Sequence, residues 1–477
     1  MENKRPDLRQ EKYIRMTTAP VRKLVLKLSV PTIASMLVTA LYNMADTYFV
    51  SSIGGYAGTC AIAAVSVSLS VMALIQALGF FVGQGAANFM SRALGRKDVD
   101  KASEMAATGL FLALMTGGLV TLLGELFTVP IARFLGADEE FIGPTADYLR
   151  WIFAAAPLMT GSFCLNNQLR FQGNALYGMI GVVSGALLNI GLDPLFIHKF
   201  NLGAEGAALA TAISQTVGFC VLFSGTFRGD TLRIDPRRVR VTRQNLGYIV
   251  QGGLPSLMRQ GSASLAAMFL NRTAGWVGEA DPTIGRAALI AAFGLVNKIM
   301  MMLNNVVIGL GQGYQPVCGF NYGAGIYSRV RKAFWFLVRV VACWCALVLL
   351  LGELFAPRIV ALFPDAEPKV RELATVILRF QCAAVLVNCW VVPSNMTQQT
   401  MGWMVSASLL AMARQGLFLI PAVLLLPRLF GLVGLELAQP VSDLCAFCLA
   451  VPLQLRALKH LSQPDKPSTD KSSTDKP

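Results

Sequence analysis

The chain has 477 residues, of which 54% are hydrophobic and only 14% are charged. Soluble globular domains usually carry about 25% charged residues, so this composition excludes an ordinary soluble domain and requires a surface that faces lipid. The formal net charge of +14 does not indicate nucleic-acid binding, because basic loops beside anionic lipid headgroups account for it.

Twelve mainly apolar segments follow one another along the chain. Each has at least about 20 residues, the length that a helix needs to cross a bilayer. Such long apolar blocks exclude a membrane β-barrel, whose strands alternate over short stretches. The sequence therefore predicts an all-α integral membrane protein. The predicted spans are 24–50, 60–85, 103–127, 145–168, 175–197, 205–227, 247–271, 286–312, 332–355, 373–394, 403–426 and 434–455.

Lysine and arginine are unequally distributed between the predicted loops. Loops after even-numbered spans hold fourteen of them, and loops after odd-numbered spans hold eight. Because positively charged loops stay on the cytoplasmic side, both termini and the 227–246 loop are predicted to be cytoplasmic. The expected location is therefore the inner (cytoplasmic) membrane, which the chain crosses many times.

The second half of the chain repeats the first half at a nearly constant offset. The motif GQG at 83–85 recurs at 311–313, and GELF at 124–127 recurs with the same offset at 352–355. Each repeat contains six spans, an even number, so both halves enter the membrane in the same orientation. We expect two six-helix bundles that are related by an axis along the membrane normal and rock to give alternating access.

This internal repeat divides the chain into predicted parts. They are a cytoplasmic N-terminal tail at 1–23, an N-lobe at 24–227, a cytoplasmic linker at 228–246, a C-lobe at 247–456 and a disordered cytoplasmic tail at 457–477. Substrate sites of parallel-repeat transporters lie near the membrane midplane between the two halves.

Two acids lie deep inside predicted spans of the first half. An ionisable group in a membrane costs roughly 2.5–3.5 kcal/mol on insertion scales, so such a residue indicates a functional site. Asp46 shares a helix face with Tyr42, and Asn43 lies beside them. Asn189 and Asp193 are four residues apart in the fifth span, which again places them on one face.

Other polar residues in the first half extend this candidate site. The sixth span carries Thr211 and Gln215, four residues apart, and the fourth span carries Tyr148. If Asp46 and Asp193 meet, the pair can hold a proton or a small cation and release it when the cavity opens to the other side. The alternative is that each Asp lies near the membrane surface and is simply hydrated.

Charges within the spans of the second half are mostly basic. Arg259, Lys298 and Arg414 lie there, with Asp443 as the one deep acid. One hypothesis is that Asp443 neutralises Arg414 or Arg259 in a structural ion pair. The other is a basic cavity that binds the anionic or zwitterionic parts of a substrate.

The remaining motifs indicate neither catalysis nor nucleotide binding. The GQG motifs end predicted spans with no strand–helix unit after them, and the chain has no Walker sequence, which argues against direct ATP coupling. The ten cysteines lie singly and are interpreted as packing residues. No metal site is expected beyond a Na+ ion at Asp46 and Asp193, and a membrane-embedded enzyme has little support.

These features together resemble the multidrug and toxic compound extrusion (MATE) family. The resemblance covers 20–458 and depends on YNMADT at 42–47, NIGLDP at 189–194, a proline early in the first and seventh spans, and GQG before a basic loop. The two Asp motifs are typical of the bacterial branch whose coupling site lies in the N-lobe.

The resemblance implies a cation-coupling site at matching positions of this chain. These positions are Asp46, Asn189, Asp193 and Thr211, with Tyr148 matched by spacing. Another branch of the family binds its coupling cation at acids of the seventh and tenth spans, which this chain lacks, so no coupling residue is carried over to the C-lobe. The candidate substrate cavity is lined by Tyr42, Asn43, Gln215, Arg259, Lys298 and Arg414.

Family members export cationic or amphipathic drugs in exchange for protons or sodium ions. The resemblance therefore implies a secondary active efflux transporter that uses H+ or Na+ as coupling ion and needs no other cofactor. Its expected partners are small organic substrates and membrane lipids, with no nucleic acid, and the expected state is a monomer. The alternative is a lipid-linked oligosaccharide flippase of the same superfamily, which the basic residues of the second half keep open.

Overall fold

The structure is a computed structural model, which describes residues 8–227, 232–280, 285–363 and 367–465. These parts of the chain form helices joined by short connections, and none of them forms a strand. Residues 1–7 and 466–477 of the predicted tails lie outside the described residues, as does Arg228, one of the charges used to predict orientation.

Fifteen α-helices follow one another in the described residues, and π-helical turns at 195–199 and 413–417 continue two of them. The helices are α1 (Leu8–Thr18), α2 (Val21–Ser51), α3 (Gly55–Gly95), α4 (Val99–Leu126), α5 (Thr128–Phe134), α6 (Ile142–Phe171), α7 (Ala175–Pro194), α8 (Gly203–Gly225), α9 (Arg243–Ala280), α10 (Arg286–Gly323), α11 (Tyr327–Ala361), α12 (Pro368–Ala384), α13 (Asn388–Met401), α14 (Met404–Met412) and α15 (Leu419–His460).

Twelve helical segments correspond to the twelve predicted spans, as the sequence predicts. Within the described ranges, nine stretches are long and apolar enough to cross a membrane, and Met404–His460 is counted there as one. That stretch bends at Gly431, whose φ of 56° is unfavourable for residues with a Cβ atom, so it supplies the eleventh and twelfth spans. Helices α6 and α9, with 30 and 38 residues, are also long enough to cross a membrane but are more polar.

The second and eighth spans are longer than predicted. Their predicted ends are 85 and 312, whereas α3 continues to Gly95 and α10 to Gly323. The GQG motifs therefore lie inside helices and do not end them. The predicted ends were wrong because the polar residues Gln84, Asn88 and Ser91 are buried within the protein and continue the helix.

The two six-helix bundles contact each other through equivalent helices. α2 packs against α10, and α3 packs against α9. Since α9 repeats α2 and α10 repeats α3, these are two copies of one helix pair, as a parallel repeat requires. α3 and α10 also cross each other and lie closest to the axis that relates the bundles.

Glycines permit this close crossing. A Cβ atom at Gly95 would lie 2.2 Å from the backbone oxygen of Phe320, and one at Gly323 would lie 2.2 Å from that of Arg92. The repeat matches Arg92 with Phe320 and, at the same offset, Gly95 with Gly323. The two contacts are therefore symmetry copies, and they hold the bundles together at the end where α3 and α10 finish.

The described part of the C-terminal tail is more ordered than the sequence predicts. Helix α15 continues to His460, and both carboxylate oxygens of Asp465 accept hydrogen bonds from Ser328, at 2.8 Å from its backbone N and 2.6 Å from its Oγ. Disorder from 457 onwards is thus wrong for 457–465, because these residues dock on the start of α11. Within the N-terminal tail, α1 contacts α10, where the Nδ2 of Asn321 donates to the backbone oxygen of Met16 at 3.2 Å.

Candidate functional site

Four helices of the first bundle bring the five predicted coupling residues together. Asp46 lies on α2, Tyr148 on α6, Asn189 and Asp193 on α7, and Thr211 on α8. α2 packs against α7, and both α6 and α7 pack against α8. All five side chains are at most 9% exposed, so the cluster lies inside the bundle and does not face lipid.

A single amide group links three of these side chains. The Nδ2 of Asn189 donates to Oδ1 of Asp193 at 3.2 Å and to Oγ1 of Thr211 at 3.4 Å. The Tyr148 side chain lies close to Thr211 and within electrostatic range of both Asp46 and Asp193. The two acids are also within electrostatic range of each other.

Several oxygens of this cluster have no hydrogen-bond partner among the described residues. They are Oδ1 of Asp46, Oδ2 of Asp193, Oδ1 of Asn189 and, on the same face of α8 as Thr211, Oγ of Ser214. A buried carboxylate oxygen without a partner is costly unless a proton or a cation compensates it. Carboxylate, amide and hydroxyl oxygens are also the ligands that hard cations prefer. The chemistry of this oxygen set therefore fits H+ or Na+.

The burial of the two acids argues against the alternative of simple hydration. Asp193 has no exposed surface, and Asp46 is 9% exposed. Three further predicted residues extend the cluster on its half-buried side. Tyr42 lies within electrostatic range of Asp46 and close to Gln215, and Asn43 follows it on α2.

The predicted basic residues of the second bundle have different surroundings from one another. Arg414 forms an ion pair with Asp443, with 2.8 Å between Nε and Oδ1, and Gln439 also donates to this Oδ1 at 2.8 Å. Of the alternatives left open by the sequence, an ion pair of Asp443 with Arg414 is the one that is present. Lys298 is exposed on α10, while Arg259 on α9 is half-buried and its Nη1 atom is fully buried.

Sequence reasoning missed two buried arginines at the contact between the bundles. Arg92 and Arg170 were assigned to cytoplasmic loops, but both lie inside helices and are 7% and 2% exposed. The Nη1 of Arg92 donates to the backbone oxygen of Thr400 at 3.0 Å, and the Arg170 guanidinium donates to Gln312. Each arginine thus reaches from the first bundle to the second.

A local signal for these two arginines was present. In each case an asparagine precedes the arginine by about one helical turn, at Asn88 and Asn167, within a run that has no other charge. A polar stripe of this kind indicates a helix face buried against protein. Without these two arginines the even-numbered loops keep twelve basic residues against eight, so the same orientation is predicted.

The sequence matches a known family along most of its length. The family model described as MatE matches residues 31–195 and 273–424. The multidrug export protein MepA of Staphylococcus aureus is 28% identical over 447 residues, which cover 92% of this chain and 95% of that protein. MepA of Staphylococcus haemolyticus is 27% identical over 445 residues, with the same coverage of 92% and 95%.

Solved structures of similar fold agree with this match. The outward-facing conformation of a multidrug resistance MATE family transporter of the MOP superfamily superposes with a TM-score of 0.87 and 25% identity, over 94% of this chain and 99% of that chain. A MOP superfamily transporter from Pyrococcus furiosus gives a TM-score of 0.85 and 26% identity, with the same coverage. This chain therefore belongs to the MatE family and is a multi-pass transport protein of the cell membrane, not an enzyme.

Proposed function

We propose that the protein exports organic compounds, many of them cationic, in exchange for H+ or Na+. The observation that carries this proposal is the cluster of Asp46 and Asp193, buried and close together, with one carboxylate oxygen of each unpartnered. The likeness to MepA multidrug export proteins supports the class of compound.

The coupling step follows from the charge of this cluster. Two carboxylates that are close together in a low-dielectric site need a compensating proton or cation. Entry of H+ or Na+ from outside satisfies the oxygens of Asp46, Asn189 and Asp193. Departure of that cation to the inside leaves the cluster charged again, so occupancy is tied to the side to which the protein is open.

Alternating access in this proposal uses the contact between the two bundles. The glycine crossing of α3 and α10 closes one end of the molecule, and the positive-inside pattern assigns that end to the cytoplasm. The conformation with both contacts formed is then closed toward the cytoplasm. Separation of Gly95 from Phe320, and of Gly323 from Arg92, opens the cytoplasmic side.

The compound binds between the bundles in this mechanism. Tyr42, Asn43 and Gln215 supply the wall from the first bundle, next to the acidic cluster. Arg259 and Lys298 belong to the second bundle and supply a basic wall. Arg414 contributes less, because Asp443 already neutralises it.

Transport by purified protein in proteoliposomes tests the proposal, with pH and sodium gradients imposed separately. We expect one gradient or both to drive accumulation of a fluorescent cationic dye, and Asp193→Asn to abolish it. The control is Asp147→Asn, the same change at an exposed residue that pairs with Arg150 at 3.5 Å. Transport by Asp193→Asn at the wild-type rate would show that the coupling assignment is wrong.

A second assay separates efflux from lipid flipping. The same vesicles receive a fluorescent lipid-linked oligosaccharide, and its movement between leaflets is measured with and without the gradients. We expect dye transport without flipping. Flipping of the sugar lipid in the absence of any dye transport would replace the proposed function by the flippase alternative.

A further inference from the structure

Two neighbouring arginines at the contact between the bundles have no negative partner among the described residues. Arg170 on α6 is 2% exposed, and Arg259 on α9 is close enough for the two like charges to repel. The ion pairs found in the described residues include neither of them. The Nε of Arg170 and the Nη1 of Arg259 are buried and also lack a hydrogen-bond acceptor there.

The groups that contact Arg170 orient it without neutralising it. Its guanidinium donates to the amide oxygens of Gln312 on α10 and Asn167 on α6. The ring of Phe171 lies 5.5 Å from the guanidinium carbon. Amide oxygens and an aromatic ring carry only partial negative charge, so the positive charge of this side chain stays uncompensated.

The internal repeat shows that the fold does not need a charge at this position. Asn166 donates to the backbone oxygen of Gly178, and its counterpart Asn395 donates in the same way to Ala407. The offset between these two asparagines also matches Arg170 with Gln399 in the second bundle. Gln399 is neutral and fully buried, and it donates to Gly252 and Ser256 at 2.8 Å.

A small cavity lies beside Arg170, where α2, α6, α7 and α10 meet. Its volume is about 20 Å³, and its lining includes Thr32, Ser35, Asn166, Arg170 and Gln312. That is room for about one water-sized group. The cavity can therefore receive one end of a molecule, such as a carboxylate oxygen, but not a whole organic compound.

We propose that Arg170 and Arg259 form an anion site that binds the negatively charged group of a transported zwitterion. Like charges on a buried and a half-buried side chain, both unpaired, are unfavourable, and an anion bound by both guanidinium groups relieves the repulsion and the desolvation. If the protein exports organic compounds as proposed above, the acidic cluster of the first bundle can attract the cationic end of the same compound. The substrate class is then compounds that carry an amine and a carboxylate.

Equilibrium binding of two related dyes to the detergent-purified protein tests this site. Rhodamine B carries a carboxylate, and its ethyl ester has the same cationic ring system without that charge. In gluconate buffer we expect the wild type to prefer rhodamine B over the ester. Arg259→Gln should reduce this preference about tenfold or more, because it removes one of the two charges that face the carboxylate.

The choice of variants separates charge recognition from structural support. Arg259 is changed first because Arg170 also bridges the bundles through Gln312, so Arg170→Gln alters their contact as well. The matched control is Arg339→Gln, the same change at an exposed position of α11, which should keep the wild-type preference. The proposal is wrong if Arg259→Gln weakens both dyes by the same factor or leaves the preference unchanged.

A chloride titration distinguishes a substrate carboxylate from a free inorganic anion. We expect chloride to weaken the binding of rhodamine B more than that of the ester, and this difference to vanish in Arg259→Gln. Wild-type protein that binds both dyes equally, but is stabilised by chloride, would make the site a chloride site and overturn the substrate assignment.

Failure of this inference and failure of the proposed function can be told apart. Dye binding is measured without any gradient, so it does not depend on cation coupling. If the wild type discriminates between the dyes but shows no gradient-driven transport, the anion site is supported and the antiport is contradicted. If it shows gradient-driven transport but no discrimination between the dyes, the antiport is supported and the anion site is contradicted.

Discussion

The sixth and twelfth spans occupy equivalent places in the two bundles but have different electrostatic surroundings. Thr211 and Gln215 on α8 correspond in the repeat to Gln439 and Asp443 on α15. In the second bundle the acid is paired, because Arg414 and Gln439 both donate to its Oδ1. A buried acid in this fold can therefore be neutralised by a basic partner and serve a structural role.

The acids of the first bundle have no such basic partner among the described residues. Asp46 and Asp193 belong to none of the ion pairs in the described residues, and each keeps a buried oxygen without a partner. The same helix packing thus carries a neutralised acid in one copy and two uncompensated acids in the other. Burial is therefore common to both kinds of acid, and the difference between them is whether a basic partner is present.

The largest expected effect is on transport by variants of the first bundle. Asp46→Asn should reduce gradient-driven dye transport in proteoliposomes to the level of empty vesicles, because an amide can neither take up a proton nor hold a cation by charge. The free energy of unfolding of this variant, measured by thermal unfolding in detergent, should change by less than about 1 kcal/mol, because no ion pair is lost. A strongly destabilised variant would instead give Asp46 a structural role.

The second bundle should respond in the opposite manner. Arg414→Leu leaves Asp443 buried and unpaired, which should lower the free energy of unfolding by about 3–5 kcal/mol. The double variant Arg414→Leu, Asp443→Leu should recover most of that loss, because it removes both charges together. Thermal unfolding of the three proteins measures this, and equal instability of the single and double variants would contradict a structural ion pair.

The glycine crossing allows a prediction about the contact that both bundles share. Gly323→Ala would place a Cβ atom 2.2 Å from the backbone oxygen of Arg92, so we expect a destabilisation of about 1–3 kcal/mol and greater access to the cytoplasmic end. The control is Gly118→Ala in α4, where no atom lies within 4 Å of the added Cβ. In a background whose ten native cysteines are replaced by serine, labelling of a cysteine placed at Ser91 reports the opening, and labelling equal to that of the control would refute it.

The smallest effect is expected at the connection between the bundles. Arg238 pairs with Asp100 at 2.8 Å, but the two side chains are 46% and 91% exposed. Exposed pairs contribute little, so Arg238→Gln should change the free energy of unfolding by less than about 1 kcal/mol and leave dye transport intact. Loss of transport in this variant would give the connection an active part in the rocking of the bundles.

Much of the candidate site could be predicted from the sequence because several of its residues are close together along the same helix. Asn189 and Asp193 are one helical turn apart, so a shared face follows from helix geometry. The meeting of Asp46 with Asp193 followed from the resemblance and from the cost of an acid in lipid. Their function in coupling remains a prediction, as do the exact limits of the two lobes.

The extent of the second and eighth spans and the distant partners of the two buried arginines could not be predicted from the sequence. A hydropathy pattern depends only on residues that are neighbours along the chain. Arg170, however, contacts Gln312, which is 142 residues away in sequence, and Arg92 contacts Thr400, which is 308 residues away. Whether a polar residue near a span end faces water or another helix depends on such distant partners. Sequence reasoning placed both arginines in loops for that reason.

The amino-acid sequence by itself determined the helical membrane class, the twelve spans, the internal repeat and the acidic faces of the first bundle. These properties depend on composition and on contacts within about one helical turn, so they can be read along the chain. Only the tertiary structure decided which charges are paired, which oxygens lack a partner and where the bundles touch. Those features arise between helices, where the packing of distant segments sets the burial of each polar group.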